Sequence, residues 1–64
     1  MEIKLLPENK RIRKDFDGKA EDLVRSLNLR PDEVIVLKGK KPIPIDEYIG
    51  NEEEITLIRV SSGG

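Results

Sequence analysis

Lys19-Ala20-Glu21-Asp22-Leu23-Val24-Arg25-Ser26-Leu27-Asn28-Leu29, followed closely by Pro31-Asp32-Glu33-Val34-Ile35-Val36-Leu37, is the stretch on which the fold turns. Ala20, Leu23, Val24 and Leu27 are spaced i, i+3, i+4, i+7 and make one apolar stripe on a helix over Lys19 to Leu27. Asp17 or Gly18 stands where a cap is needed, and Glu21 and Asp22 suit the positive end of the helix dipole. Asn28 tolerates the left-handed conformation that ends a helix, Leu29 can fold back onto the last turn, and Pro31 forbids continuation. Val34-Ile35-Val36-Leu37 is then a β-branched run between two polar segments, which predicts a central strand.

Working outward, Met1-Glu2-Ile3-Lys4-Leu5 alternates with period two, the pattern of a half-buried strand. Pro7, Glu8, Asn9 and Lys10 supply turn chemistry, and a second strand is expected over Arg11 to Phe16. Ile12 and Phe16 point to the core there, which leaves Lys14 on the same face to snorkel outward. Beyond the central strand, the two prolines of Pro42-Ile43-Pro44-Ile45 restrict that segment to a short edge strand or an extended segment. Asp46 to Ile49 reads as one helical turn with the Tyr48 ring packed, and Gly50-Asn51 as a turn. The last strand runs Glu54 to Val60, and Ser61-Ser62-Gly63-Gly64 is expected to be a mobile tail. The reading is an α+β domain over residues 1–60, a mixed sheet of four to five strands with one helix packed across it, and a tail over 61–64.

Composition narrows the chemistry. The 64 residues contain no Cys and no His, which excludes thiol nucleophiles, thiolate or imidazole metal sites and catalytic triads. One Tyr, one Phe and no Trp leave no stacking platform for single-stranded nucleic acid. Twelve Lys and Arg against 13 Asp and Glu give a net charge of −1, too balanced for a protein that coats DNA. No run is long and apolar enough to span a membrane, and the N-terminus carries no signal pattern, so the expected location is cytoplasmic. The absence of Gln beside many Lys, Glu and Arg resembles the bias of thermophile proteins. Lys10, Arg11, Arg13 and Lys14 read as a solvated hairpin that discourages edge pairing, and Glu52-Glu53-Glu54 as a polar turn rather than a cation site. These exclusions favour a binding or carrier module over an enzyme.

The tail is the remaining candidate for chemistry. Four residues reach roughly 13 to 14 Å from the last strand. Glycine, with no Cβ, passes through a narrow channel in almost any backbone geometry. The α-carboxylate of Gly64 is ionised at neutral pH and can attack the α-phosphate of ATP where a partner supplies magnesium and cations.

Three features then carry a resemblance: the block Leu27-Asn28-Leu29-Arg30-Pro31-Asp32-Glu33-Val34-Ile35-Val36, the segment Pro44-Ile45-Asp46-Glu47-Tyr48, and the ending Val60-Ser61-Ser62-Gly63-Gly64. With the element order, they resemble the β-grasp sulfur carriers and ubiquitin-like modifiers. Within this circle the resemblance is strongest to the thiamine-biosynthesis sulfur carrier and molybdopterin-synthase small subunit group. The small archaeal modifier proteins and the ubiquitin-related modifier of tRNA thiolation belong to the same circle. The resemblance implies a β-grasp (ubiquitin-like) fold and a protein that is not itself an enzyme. It implies an adenylating partner of the ubiquitin-activating type, which uses ATP and Mg, while this chain binds no cofactor or metal of its own. Gly64 would become an acyl-adenylate and then a thiocarboxylate, which a synthase or tRNA-thiolating enzyme uses for thiamine, molybdopterin or tRNA thiolation. Alternatively, a target lysine would attack it and form an isopeptide bond. A noncovalent β-grasp interaction module is the third reading, and neither direct nucleic-acid binding nor a membrane is expected.

Such a partner must also grip the domain. With Ile55 and Leu57 inward, alternation places Thr56 and Ile58 on the opposite face. With Ile35 and Leu37 also taken as inward, Val34 and Val36 fall outward. The expected partner surface is therefore Val36, Thr56, Ile58, Arg59 and Val60, leading into Ser61, Ser62 and Gly63.

Overall fold

A computed structural model describes residues 1–60. Strand β1 (Glu2–Leu6) turns back through Pro7–Asn9 into β2 (Lys10–Arg13), with Ile3 opposite Ile12 and Leu5 opposite Lys10. Asn9 takes the left-handed conformation this short connection needs, φ 59°. The expected hairpin therefore forms, but β2 stops at Arg13 rather than Phe16. The Phe16 N–H donates to Asn51 Oδ1 at 2.9 Å instead of to a neighbouring strand, and this ends the ladder. Lys14 is half-buried, and its backbone N–H donates to the Met1 carbonyl at 3.1 Å.

Helix α1 (Ala20–Ser26) lies where its stripe demands, with Ala20, Leu23 and Val24 buried and Leu27 packed against the core. Its first amides are not capped by Asp17 or Gly18. The Ala20 N–H donates to the Glu47 carbonyl at 2.9 Å and the Glu21 N–H to the Ile45 carbonyl at 2.7 Å. A distant backbone segment thus satisfies donors that a side chain usually takes. The Asp17 carboxylate accepts instead from the Asn51 N–H, 2.8 Å away. At the other end Asn28 has φ 62°, its N–H donates to the Arg25 carbonyl, and the Leu29 N–H reaches back to Val24. That pair of bonds is a Schellman stop, completed by Leu29 packing on the core, as the sequence predicts.

A single 3-10 turn (Pro31–Glu33) delivers the chain into β4 (Val34–Lys38). Here β3 is the two-residue strand Gly18–Lys19 that immediately precedes the helix. Gly39, at φ +65°, makes the two-residue turn into β5 (Lys41–Ile43), which lies on a sheet edge as its proline requires. The segment expected as a helical turn over Asp46 to Ile49 is extended at its end, where β6 (Tyr48–Ile49) pairs antiparallel with β3. A turn does form just before it, where the Glu47 N–H donates to the Pro44 carbonyl at 3.1 Å, and the Ile45 and Glu47 carbonyls cap α1. Ile49, not Tyr48, packs inward: Ile49 is fully buried and Tyr48 is 61% exposed.

The final strand β7 (Glu54–Arg59) completes a five-stranded sheet ordered β2-β1-β7-β4-β5 among the described residues. β7 runs parallel to β1 and antiparallel to β4, so the first and last strands are neighbours at the centre. One face of the sheet carries α1, and Ile3, Val34, Val36, Ile55 and Leu57 from the sheet enclose the core with Ala20, Leu23, Val24 and Ile49. The fold is α+β, a mixed five-stranded sheet with one helix across it in the β-grasp arrangement. Burial of each large aliphatic here contributes about 1.5–3 kcal/mol.

Asn51 ties three chain segments together. Its Oδ1 accepts from the Met1 amino group (3.1 Å) and from Phe16, and its N–H donates to Asp17. Replacing it by alanine leaves the Phe16 N–H without this acceptor, and Asn51→Ala is expected to lower stability by about 1–3 kcal/mol in urea unfolding.

Candidate functional interface

Directly opposed residues in a ladder share a face, and the register decides which residues are outside. Val36 lies opposite Leu57, and Ile35 opposite Ile58. Because Leu57 is fully buried, it takes Val36 inward with it: Val36 is 1% exposed and Ile35 43% exposed. The expectation that Val34 and Val36 face outward is therefore reversed for both residues. The error has a physical source. Val34 to Leu37 is apolar throughout, so period-two alternation carries no information about which face is which. Glu54 to Arg59 does alternate, and there the placement of Ile55 and Leu57 inside and Thr56 and Ile58 outside holds.

On the sheet's outer face, Leu6 on β1, Ile58 on β7 and Ile35 on β4 align in one row across the three central strands. Leu6 and Ile58 are half-buried. A second row, Arg11, Lys4, Thr56, Leu37 and Pro42, crosses all five strands one step away. The face thus grades from polar and charged to apolar in the direction in which β7 runs. Val60 follows at 41% exposure, with its N–H donating to the Glu33 carbonyl at 2.8 Å. Leu6 and Ile35 are members of this surface that the sequence reading missed. The Leu5-Leu6 break in the alternation of β1 was the available signal for Leu6, and none existed for Ile35 without the register.

Arg59, the last residue of β7, is exposed and ion-pairs with Glu8 in the β1–β2 turn. The Glu8 carboxyl sits below its ordinary range because its own backbone N–H donates to it, and the Arg59 and Lys10 charges act in the same direction against some desolvation. At the other end of the sheet, the Glu53 carboxylate, 2.7 Å from Lys38, holds that ammonium above its usual range, with Glu47 adding to the effect. The basic residues Lys10, Arg11 and Arg13 line the edge strand β2, where they oppose edge-to-edge pairing. Ser61, Ser62, Gly63 and Gly64 lie outside the described residues. No helix among the described residues is long and apolar enough to cross a membrane.

A β-grasp domain with an apolar row at the end of the sheet where its last strand finishes has the build of a ubiquitin-like protein. The chain belongs to the small archaeal modifier protein 2 family, whose model matches residues 2–61. It is 38% identical to small archaeal modifier protein 2 of Haloferax volcanii over 50 residues, which covers 78% of this chain and 74% of that one. It is also 35% identical over 43 residues to an uncharacterized protein of Archaeoglobus fulgidus, covering 67% of this chain and 63% of that relative. The family is one of small ubiquitin-like modifiers or sulfur carriers, not of catalysts.

Proposed function

We propose that this protein works through the carboxylate of Gly64, which an adenylating enzyme of the ubiquitin-activating type converts to an acyl-adenylate. The supporting observation is the placement of the apolar row. Leu6, Ile58 and Ile35 lie at the end of the sheet where β7 hands over to Val60 and the Ser-Ser-Gly-Gly segment. An enzyme that grips this row holds the domain where the diglycine is nearest to its own ATP site. A carboxylate oxygen of Gly64 attacks the α-phosphate of ATP, pyrophosphate leaves with magnesium, and the carbonyl carbon becomes electrophilic. A hydrosulfide-level sulfur donor then displaces AMP and leaves a thiocarboxylate, a nucleophile for sulfur transfer to a thiazole precursor, a pterin or a tRNA base. ATP and magnesium belong to the partner, and this chain supplies the carboxylate and the docking face.

A second reading is favoured by the word modifier in the name of the relative from Haloferax volcanii. In it, a lysine amine of a target protein displaces AMP from the same adenylate, and an amide bond forms. Intact mass of the protein purified from its own cells separates the two. Sulfur in place of one carboxylate oxygen adds about 16 Da. Conjugates of higher mass, with a Gly-Gly remnant on target lysines after proteolysis, are expected if the second fate dominates. Only unmodified protein, from cells in which the activating enzyme is present, would overturn both.

A further inference from the structure

β7 is held unequally along its two flanks. On the β4 side, pairing continues to Arg59 opposite Val34, and the Val60 N–H then reaches the Glu33 carbonyl. On the β1 side the ladder ends one residue earlier, at Leu6 opposite Ile58, because the chain turns away at Pro7. The end of the strand would be anchored along one edge only, were it not for a side chain. Glu8, in the turn that follows Leu6, reaches across to the Arg59 guanidinium, a contact between residues 51 apart in sequence.

We propose that Glu8 is a positioning residue for charging of the Gly64 carboxylate: through its ion pair with Arg59 it fixes the end of β7, and hence the direction in which the chain leaves the sheet at Val60. The inference rests on the function proposed above. A segment that must enter a narrow site is captured more readily when its root already points the right way, because less conformational freedom is lost on binding. Preorganisation of this kind acts on capture, so it is read in KM rather than kcat. Glu8 lies in the β1–β2 turn, outside the apolar row that the partner is proposed to grip. An exposed ion pair contributes little to overall stability, so its loss leaves the fold in place.

The test is ATP–pyrophosphate exchange by the adenylating enzyme of the same organism, with this protein as the varied substrate. Glu8→Gln is expected to raise KM about three- to tenfold with kcat within about twofold of wild type and the melting temperature nearly unchanged. In an Arg59→Ala background the same change is expected to have no further effect, because Glu8 acts through Arg59. The order parameter of the Val60 amide, measured without any partner, is expected to fall in Glu8→Gln. An unchanged KM in Glu8→Gln, or a Glu8→Gln effect that persists without Arg59, overturns the inference while leaving the proposed function intact. A wild-type protein that supports no exchange overturns the proposed function, and the positioning role with it.

Discussion

Removal of Gly63 and Gly64 is expected to abolish adenylation, by more than about a thousandfold, with no change in the melting temperature. The loss follows from reach. Two residues shorten the tail by about 7 Å. A misplacement of roughly 1 Å at a reacting atom already costs about a hundredfold. The new terminus would also be a serine, whose Cβ and hydroxyl must enter a channel that a glycine passes freely. Stability is unaffected because the nine buried core side chains among the described residues all lie between Ile3 and Leu57. Pyrophosphate exchange and thermal unfolding on the same preparation check both halves. A shortened protein that is still adenylated would remove the tail from the mechanism and leave the noncovalent interaction module as the better reading.

Val36→Asp is expected to unfold the protein, whereas Ile58→Asp and Ile35→Asp keep the fold and lose the partner. Val36 is 1% exposed and sits opposite Leu57. A carboxylate there has no cation among the nine core residues, which are all apolar. The effective penalty for burying an unpaired charge is several kcal/mol, comparable with the whole stability of a domain this small. Circular dichroism at 25 °C is therefore expected to show a largely unfolded chain. Ile58 and Ile35 face outward, so a carboxylate at either position stays hydrated in the free protein and is desolvated only under a partner. Binding to the activating enzyme should fall by tenfold or more, about 1.4 kcal/mol, the scale of an interface hot spot. Calorimetric titration of the folded variants measures it. A folded Val36→Asp beside an unfolded Ile58→Asp would mean that the sheet faces are the reverse of those described.

The order of α1 and the five strands of the main sheet was legible because each advertised itself in a different way, whereas the two-residue strands β3 and β6 carried no such pattern. The Ala20, Leu23, Val24, Leu27 stripe and the Asn28-Leu29 stop located α1, and the prolines placed β5 on an edge. Two kinds of information were missing. The faces of β4 are set by its register against β7, a long-range fact that a uniformly apolar run cannot encode. The role of Ile45 and Glu47 in capping α1 belongs to backbone carbonyls, and these are the same whatever side chains the segment carries. For that reason Asp17 looked like the cap and Tyr48 looked like a core residue, although neither is. At the candidate interface, alternation placed Thr56 and Ile58 correctly, and Arg59 and Val60 are exposed as expected. Val36 was exchanged for its neighbour Ile35, a slip of one residue that moves a side chain through the whole thickness of the sheet.

The central, parallel pairing of β1 with β7 also governs how the sheet assembles. Ile55 and Leu57 are the floor of the core, and among the described residues β7 alone joins the β1–β2 hairpin to β4 and β5. The β1–β2 hairpin and the β4–β5 pair become one sheet only when β7 docks between them. Closure of the sheet therefore joins segments far apart in the sequence, a slow kind of contact to form. A copy in which β7 is undocked lacks the row formed by Leu6, Ile58 and Ile35, since that row exists only with β7 between its neighbours. A partner that reads that row therefore distinguishes folded copies from unfolded ones.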